Sequence, residues 1–105
     1  MATGRVHIFV TLNPKPGKEG DLDSLLRGMC GPSRTEAGCL RYDLFAPAGG
    51  GGTRYLIECW RDQAALDAHR EEPHYKNFRA KIGNILEGNA VPAFLKEVDV
   101  AYGAL

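Results

Sequence analysis

The sequence predicts an α+β domain: one antiparallel sheet with its helices packed on one side. Three observations predict it. Short stretches alternate apolar and polar residues, segments with apolar residues at helical spacing lie between them, and proline or glycine punctuates most junctions. The 105 residues, 1–105, make a single domain with one core and no room for a separate cofactor domain.

Arg5 to Leu12 (RVHIFVTL) is the first strand, with Val6, Ile8, Val10 and Leu12 on one face and Arg5, His7, Phe9 and Thr11 on the other. NPKPG ends it, because Pro14 and Pro16 donate no ladder hydrogen bond and Gly17 turns freely. From about Lys18, Leu22, Leu25, Leu26 and Met29 form the stripe of an amphipathic helix, which Gly31 and Pro32 are expected to weaken or end. A further short helical turn is expected through SRTEAG, stopped at Gly38.

Cys39 to Ala46 (CLRYDLFA) alternates again, with Leu40, Tyr42 and Leu44 opposite Arg41, Asp43 and Phe45. AGGGG then reads as a mobile hairpin loop, since no helix opens after it to make a phosphate cradle. Arg54 to Trp60 (RYLIECW) is the third strand, with Leu56, Glu58 and Trp60 on one face and Tyr55, Ile57 and Cys59 on the other. Asp62 caps the helix QAALDAHR, Pro73 opens the helix HYKNFRAKI, and Phe94 to Val100 supplies the last strand. The order βαββαβ is that of a ferredoxin-like domain. Its strands are apolar on both faces while helices cover only one, so a second copy is expected over the other, giving a dimeric α+β barrel with Phe9, Phe45 and Tyr55 at the interface.

Composition narrows the partners. Thirteen basic and thirteen acidic residues cancel, which leaves no polybasic footprint for nucleic acid or an anionic membrane. The apolar runs fall far short of the ~20 residues that span a bilayer, and no leader pattern is seen, so a cytoplasmic location is expected. Cys30, Cys39 and Cys59 are odd in number and lack paired spacing, which suits buried reduced thiols better than disulfides or zinc.

The candidate chemistry lies in β-strand residues Glu58 and Trp60 and in DAHREEPHYKNF. A buried Glu58 is either a base or anchor with a raised pKa or a structural acid held by a histidine, an arginine or backbone donors. His69 lies near the apolar stripe of its helix and leans toward the sheet and Glu58. His74 opens the next helix, where the dipole favours a neutral ring; each histidine is a proton acceptor or a corner residue satisfied locally. Five-residue spacing across a proline break argues against an iron site of His69, His74 and Glu58, so no metal is expected.

The runs PSRTEAGCLRYDLF and IECWRDQAALDAHREEPHYKNF closely resemble the antibiotic biosynthesis monooxygenase (ABM) domain family, especially its small quinol monooxygenase-like members. The likeness extends from the KPGK turn through the final strand. It implies a ferredoxin-like homodimer with a pocket between sheet and helices. It also implies oxygenation of a small phenolic or hydroquinone substrate by molecular oxygen, with no metal, flavin or nicotinamide cofactor. On that resemblance His74 or His69 is the base and Glu58 its orienting partner, with Trp60, Tyr42, Tyr75 and Phe78 binding the substrate. The family's haem-degrading members use a first-strand asparagine, whereas the only nearby asparagine here is Asn13, in the following turn. The polyketide oxygenases carry an asparagine where this chain has Leu56. PHYKNFRAKIG is also similar to isomerases of phosphorylated autoinducer breakdown, in which His69, His74 and Lys76 would move a proton beside a carbonyl. A third alternative is a small-ligand-binding dimer without turnover.

Overall fold

The computed structural model describes residues 3–101. In chain order the elements are β1 (Val6–Leu12), α1 (Glu19–Arg34), β2 (Cys39–Phe45), β3 (Arg54–Trp60), α2 (Gln63–His69), α3 (Pro73–Ile82) and β4 (Val91–Leu95). The sheet is antiparallel throughout, in the order β2-β3-β1-β4. This is the ferredoxin-like α+β fold, with β3 and β1 as the internal strands.

The period-two pattern of β1 and β3 decides which face meets the helices. Ile8, Val10 and Leu12 from β1 and Leu56 and Trp60 from β3 are buried against Leu22, Leu26 and Met29 of α1, Leu66 of α2 and Ile82 of α3. The opposite face carries Phe9 and Tyr55 in edge-to-face contact, ring centres 5.5 Å apart, beside Phe45. At the far end of that face His7 pairs with Glu97 at 2.6 Å. The three cysteines are free thiols, and no described helix is long and apolar enough to cross a membrane.

Three boundaries differ from the sequence reading, each for a local reason. α1 runs on through Gly31 and Pro32 to Arg34 instead of stopping and restarting. Pro32 lies in the last turn on the exposed side, as does Gly28 four residues earlier, so water can take the carbonyl that proline leaves unbonded. In β2 the register slips between Cys39 and Arg41, making Leu40 the extra residue of a bulge. It is therefore exposed, while Tyr42 and Leu44 keep the inward side. The last strand is Val91–Leu95, not Phe94 to Val100. It is laid against β1 from Thr11 opposite Val91 to His7 opposite Leu95, and Pro92 is tolerated because β4 is an edge.

The glycine-rich β2-β3 connection is shaped by its glycines. Gly50 and Gly51 take φ of +93° and +108°, and a Cβ on Gly52 would stand 2.6 Å from Glu19 Cγ. The segment thus turns back against the start of α1.

Candidate active site

Antiparallel register sets the floor of the site. Tyr42, Glu58, Ile8 and Phe94 form one inward-facing row across β2, β3, β1 and β4, and Leu56, Val10 and Pro92 belong to the next. α2 and α3 bridge over this floor, with Met29 of α1 closing one side. Between them lies a cavity of about 130 Å³ that Tyr42, Glu58, His69, Tyr75, Phe78 and Phe94 help to line. A dry apolar cavity of ~150 Å³ accepts a benzene ring, so this space suits one six-membered ring and little more. Arg70 and Arg79 stand at its rim, both exposed and neither paired with an acid among the described residues.

His69 is placed by the sequence immediately around it. Asp62 accepts the Ala65 N–H at 2.8 Å and fixes the start of α2, and seven residues later His69 ends the helix pointing down at the sheet. Its ring lies against the Trp60 indole, centres 4.4 Å apart, with Tyr75 at 5.1 Å and Tyr42 at 5.8 Å. It is 2 % exposed. Burial lowers its proton affinity, and Glu36 opposes that effect by hydrogen bond and charge.

Glu36 is the residue that sequence reasoning missed. It sits in the turn between α1 and β2, held by its own N–H to Ser33 O and by Cys39 N–H to its carbonyl. Its Oε2 receives a hydrogen bond from His69 Nδ1 at 2.7 Å and another from His74 Nε2 at 2.8 Å. A carboxylate can only accept, so both of those ring nitrogens carry the proton. The lone pair of a neutral His69 is then on Nε2, which makes no hydrogen bond among the described residues. The available signal was an acid within the EAGCLRYDLF run with no partner of its own, set against two histidines that each needed one.

The acid within hydrogen-bonding distance of both histidines is therefore Glu36. Glu58, 8 % exposed, accepts the Trp60 Nε1–H at 3.0 Å and contacts neither histidine by hydrogen bond. Desolvation pushes its pKa up, against the Trp60 hydrogen bond and the Arg70 charge. Trp60 is wholly buried behind His69 and is not among the residues that line the cavity. Tyr42 does line it, with a phenol pushed well above its ordinary range by burial, which leaves it a hydrogen-bond donor at any working pH. Tyr75 and Phe78 form the α3 wall, ring centres 6.1 Å apart.

His74 belongs to a different opening. It lines a wider groove of about 450 Å³ between α1 and α3, with Asp21, Ser24 and Lys81. Lys76 is exposed and pairs with Glu71 at 3.1 Å, away from the cavity. The candidate metal-type cluster is likewise built with Glu36: the ligand atoms of Glu36, His69 and His74 lie within 4.8 Å of one another. One carboxylate oxygen there lies within hydrogen-bonding distance of a nitrogen on each ring.

A ferredoxin-like sheet thus carries a broken helical roof, with His69 and Glu58 lining a one-ring cavity between them. The chain belongs to the antibiotic biosynthesis monooxygenase family, whose profile matches residues 5–81. It is 38% identical over 99 residues to "Putative monooxygenase Rv0793" of Mycobacterium tuberculosis, covering 94% of this chain and 97% of that protein. The solved structure of Rv0793 superposes with a TM-score of 0.87 over 92% of this chain and 98% of its own. PA3566 from Pseudomonas aeruginosa, 32% identical, gives 0.86 over 94% and 99%. "Putative monooxygenase YcnE" of Bacillus subtilis is 37% identical over 67 residues, 64% of this chain and 70% of that one.

Proposed function

We propose that the protein is a monooxygenase that oxidises a small phenolic or hydroquinone ring with molecular oxygen, using no metal, flavin or nicotinamide. What supports this reading is the one-ring cavity faced by His69, whose Nδ1 proton is engaged by Glu36 and whose Nε2 is left as the acceptor. His69 Nε2 takes the phenolic proton as general base, and Arg70 and Arg79 at the rim favour the resulting phenolate. The electron-rich anion passes one electron to oxygen, and the phenoxyl and superoxide radicals recombine at a ring carbon. Loss of water from the peroxide then leaves a hydroxyquinone from a hydroquinone, with one oxygen atom in the product and one in water. Tyr42 donates a hydrogen bond to the ring oxygen, and Tyr75 and Phe78 hold the ring and exclude water. Glu58, whose proton affinity burial raises, also lines the cavity beside the guest.

A second copy of the chain is part of this reading. Phe9, Tyr55 and Phe45 offer it an aromatic patch, and Phe94, 57 % exposed on β4, leaves one side of the cavity to be covered.

Arg70 and Arg79 also favour a second reading, an isomerase whose substrate carries a phosphate beside a carbonyl. Oxygen separates the two. Purified protein of measured metal content is given hydroquinones in air and under argon. Product formed only in air from metal-free protein is expected; equal conversion under argon points to the isomerase. Binding without product in either gas points to a ligand-binding role.

A further inference from the structure

Glu36, His69 and His74 meet from three separate places: the turn before β2, the end of α2 and the start of α3. One carboxylate oxygen and two imidazole nitrogens are the donor set of a three-residue site for a divalent transition ion. Spacing in the chain argues against it, since a continuous helix puts residues five apart on different faces. The turn before Pro73 removes that constraint, and the two rings lie 5.7 Å apart, centre to centre.

The distances fit after a small adjustment. The three ligand atoms lie within 4.8 Å of one another, with Glu36 Oε2 at 2.7 Å from His69 Nδ1 and 2.8 Å from His74 Nε2. Tetrahedral bonds of ~2.0–2.1 Å set ligand atoms about 3.3 Å apart, so the oxygen and the rings must part by roughly half an ångström. His69 is gripped by Trp60 and Tyr75, whereas α3, which carries His74 in its first turn, buries only Ile82. The movement therefore falls on the Glu36 and His74 side chains. His74, its side chain 19% exposed, lines the groove between α1 and α3, which supplies a path of entry and room for water as the fourth ligand.

We propose that Glu36, His69 and His74 form an exchangeable site for a divalent transition ion, zinc above all, entered from the α1–α3 groove, and that an ion held there silences His69. The second part rests on the reading of His69 as the base. On binding, the ion takes the places of the protons on His69 Nδ1 and His74 Nε2, and each neutral ring carries its proton on the other nitrogen instead. No proton is lost, and the ion gains one anionic and two neutral ligands. His69 Nε2 is then an N–H and cannot accept from a guest, so loading and turnover exclude each other. The ion is a brake on the reaction and not its cofactor. Exchangeability follows from the outer nitrogens: neither His69 Nε2 nor His74 Nδ1 makes a hydrogen bond among the described residues, of the kind that fastens a resident metal's ligands.

The test titrates the metal-free full chain with Co2+, whose visible ligand-field bands report tetrahedral nitrogen and oxygen ligation, and then with Zn2+ in competition. Wild type is expected to bind Co2+ at one site per chain, with bands that Zn2+ abolishes. Glu36→Gln and His74→Ala should each weaken binding at least about tenfold. His7→Gln, on the opposite face of the sheet, should leave it unchanged. Circular dichroism confirms that the variants are folded. Absence of the bands in wild type, or bands of wild-type affinity in both site variants, overturns the site. So does the intense ultraviolet absorption of a cobalt–thiolate bond, which would place the ion on Cys39 or another of the free thiols. Saturating Zn2+ should also stop oxygen uptake with a hydroquinone. Zn2+ bound through Glu36 and His74 with uptake undiminished overturns the brake and the assignment of His69 as base, while the site stands. Absence of uptake by the metal-free protein counts against the oxygenase reading alone, since the cobalt bands do not depend on it.

Discussion

Gly38 is a position where ordinary expectation and this structure give opposite signs. Its backbone is not in the left-handed region, so replacing it with alanine should by itself stabilise the chain by about 0.4–1 kcal/mol through the unfolded state. The structure forbids that gain. A Cβ on Gly38 would lie 2.2 Å from Ala65 Cβ and 3.4 Å from Ala65 Cα, both rigid atoms of α2. The helix must retreat by more than an ångström to restore ordinary contact, and overpacking of this kind costs about 1–3 kcal/mol. The same retreat stretches the 2.7 Å bond between His69 and Glu36 beyond useful range, because Glu36 lies two residues before Gly38 and His69 four after Ala65. Ala65→Gly alone should cost about 1 kcal/mol of helix propensity. In the double variant the offending pair is gone, so its destabilisation should fall below the sum of the two singles by about 0.5–3 kcal/mol. Urea unfolding of all four proteins measures the cycle. A Gly38→Ala protein as stable as wild type, or additive effects in the double variant, would refute the contact argument.

Four further outcomes follow from the site. His69→Gln should lower turnover about 10²–10⁴-fold, measured as oxygen uptake with a hydroquinone, while leaving the unfolding transition cooperative. Asp62→Ala should cost about 1 kcal/mol in urea unfolding by removing the cap of α2. Glu58 has a raised folded pKa, so its favourable contribution is present below the ordinary value of 4.5 and is lost as pH rises through the folded value. Glu58→Gln keeps an acceptor for Trp60 and does not ionise; its urea midpoint should therefore gain on wild type from pH 4 to 8. His69 has the opposite linkage: its folded pKa is lowered, so wild type loses stability as pH falls below 6.5 toward the folded value, and His69→Gln should flatten that limb.

The parts of the fold that were legible in the sequence are those set by local chemistry. β3 keeps its boundaries because every second residue is apolar, Asp62 caps α2 through its own side chain, and Pro73 stands at the first position of α3. Family membership was legible too, since both motif runs map onto the turn, strands and helices that build the cavity. What escaped depended on neighbours distant in the chain. Pro32 reads as a helix breaker unless its exposed side is known, and β4 is placed by the free edge of β1 more than by its own residues. Gly38 reads as a helix stop, yet its smallness serves the approach of α2. Glu36 was invisible as a site residue because its partners lie 33 and 38 positions away, and Glu58 looked the better acid for being on the same strand as Trp60.

The helical roof is made of two pieces held with different firmness. α2 is locked by a side-chain cap and by the close approach of Gly38, whereas α3 buries only Ile82 and meets the cavity through half-exposed Tyr75 and Phe78. In the proposed reaction the ring that faces the guest is thus mounted on the stiffer piece, and the surfaces that would choose between guests on the looser one. Selectivity in this scaffold can therefore drift, or be redesigned, by rewriting one face of a ten-residue helix while the histidine it overlooks stays where it is.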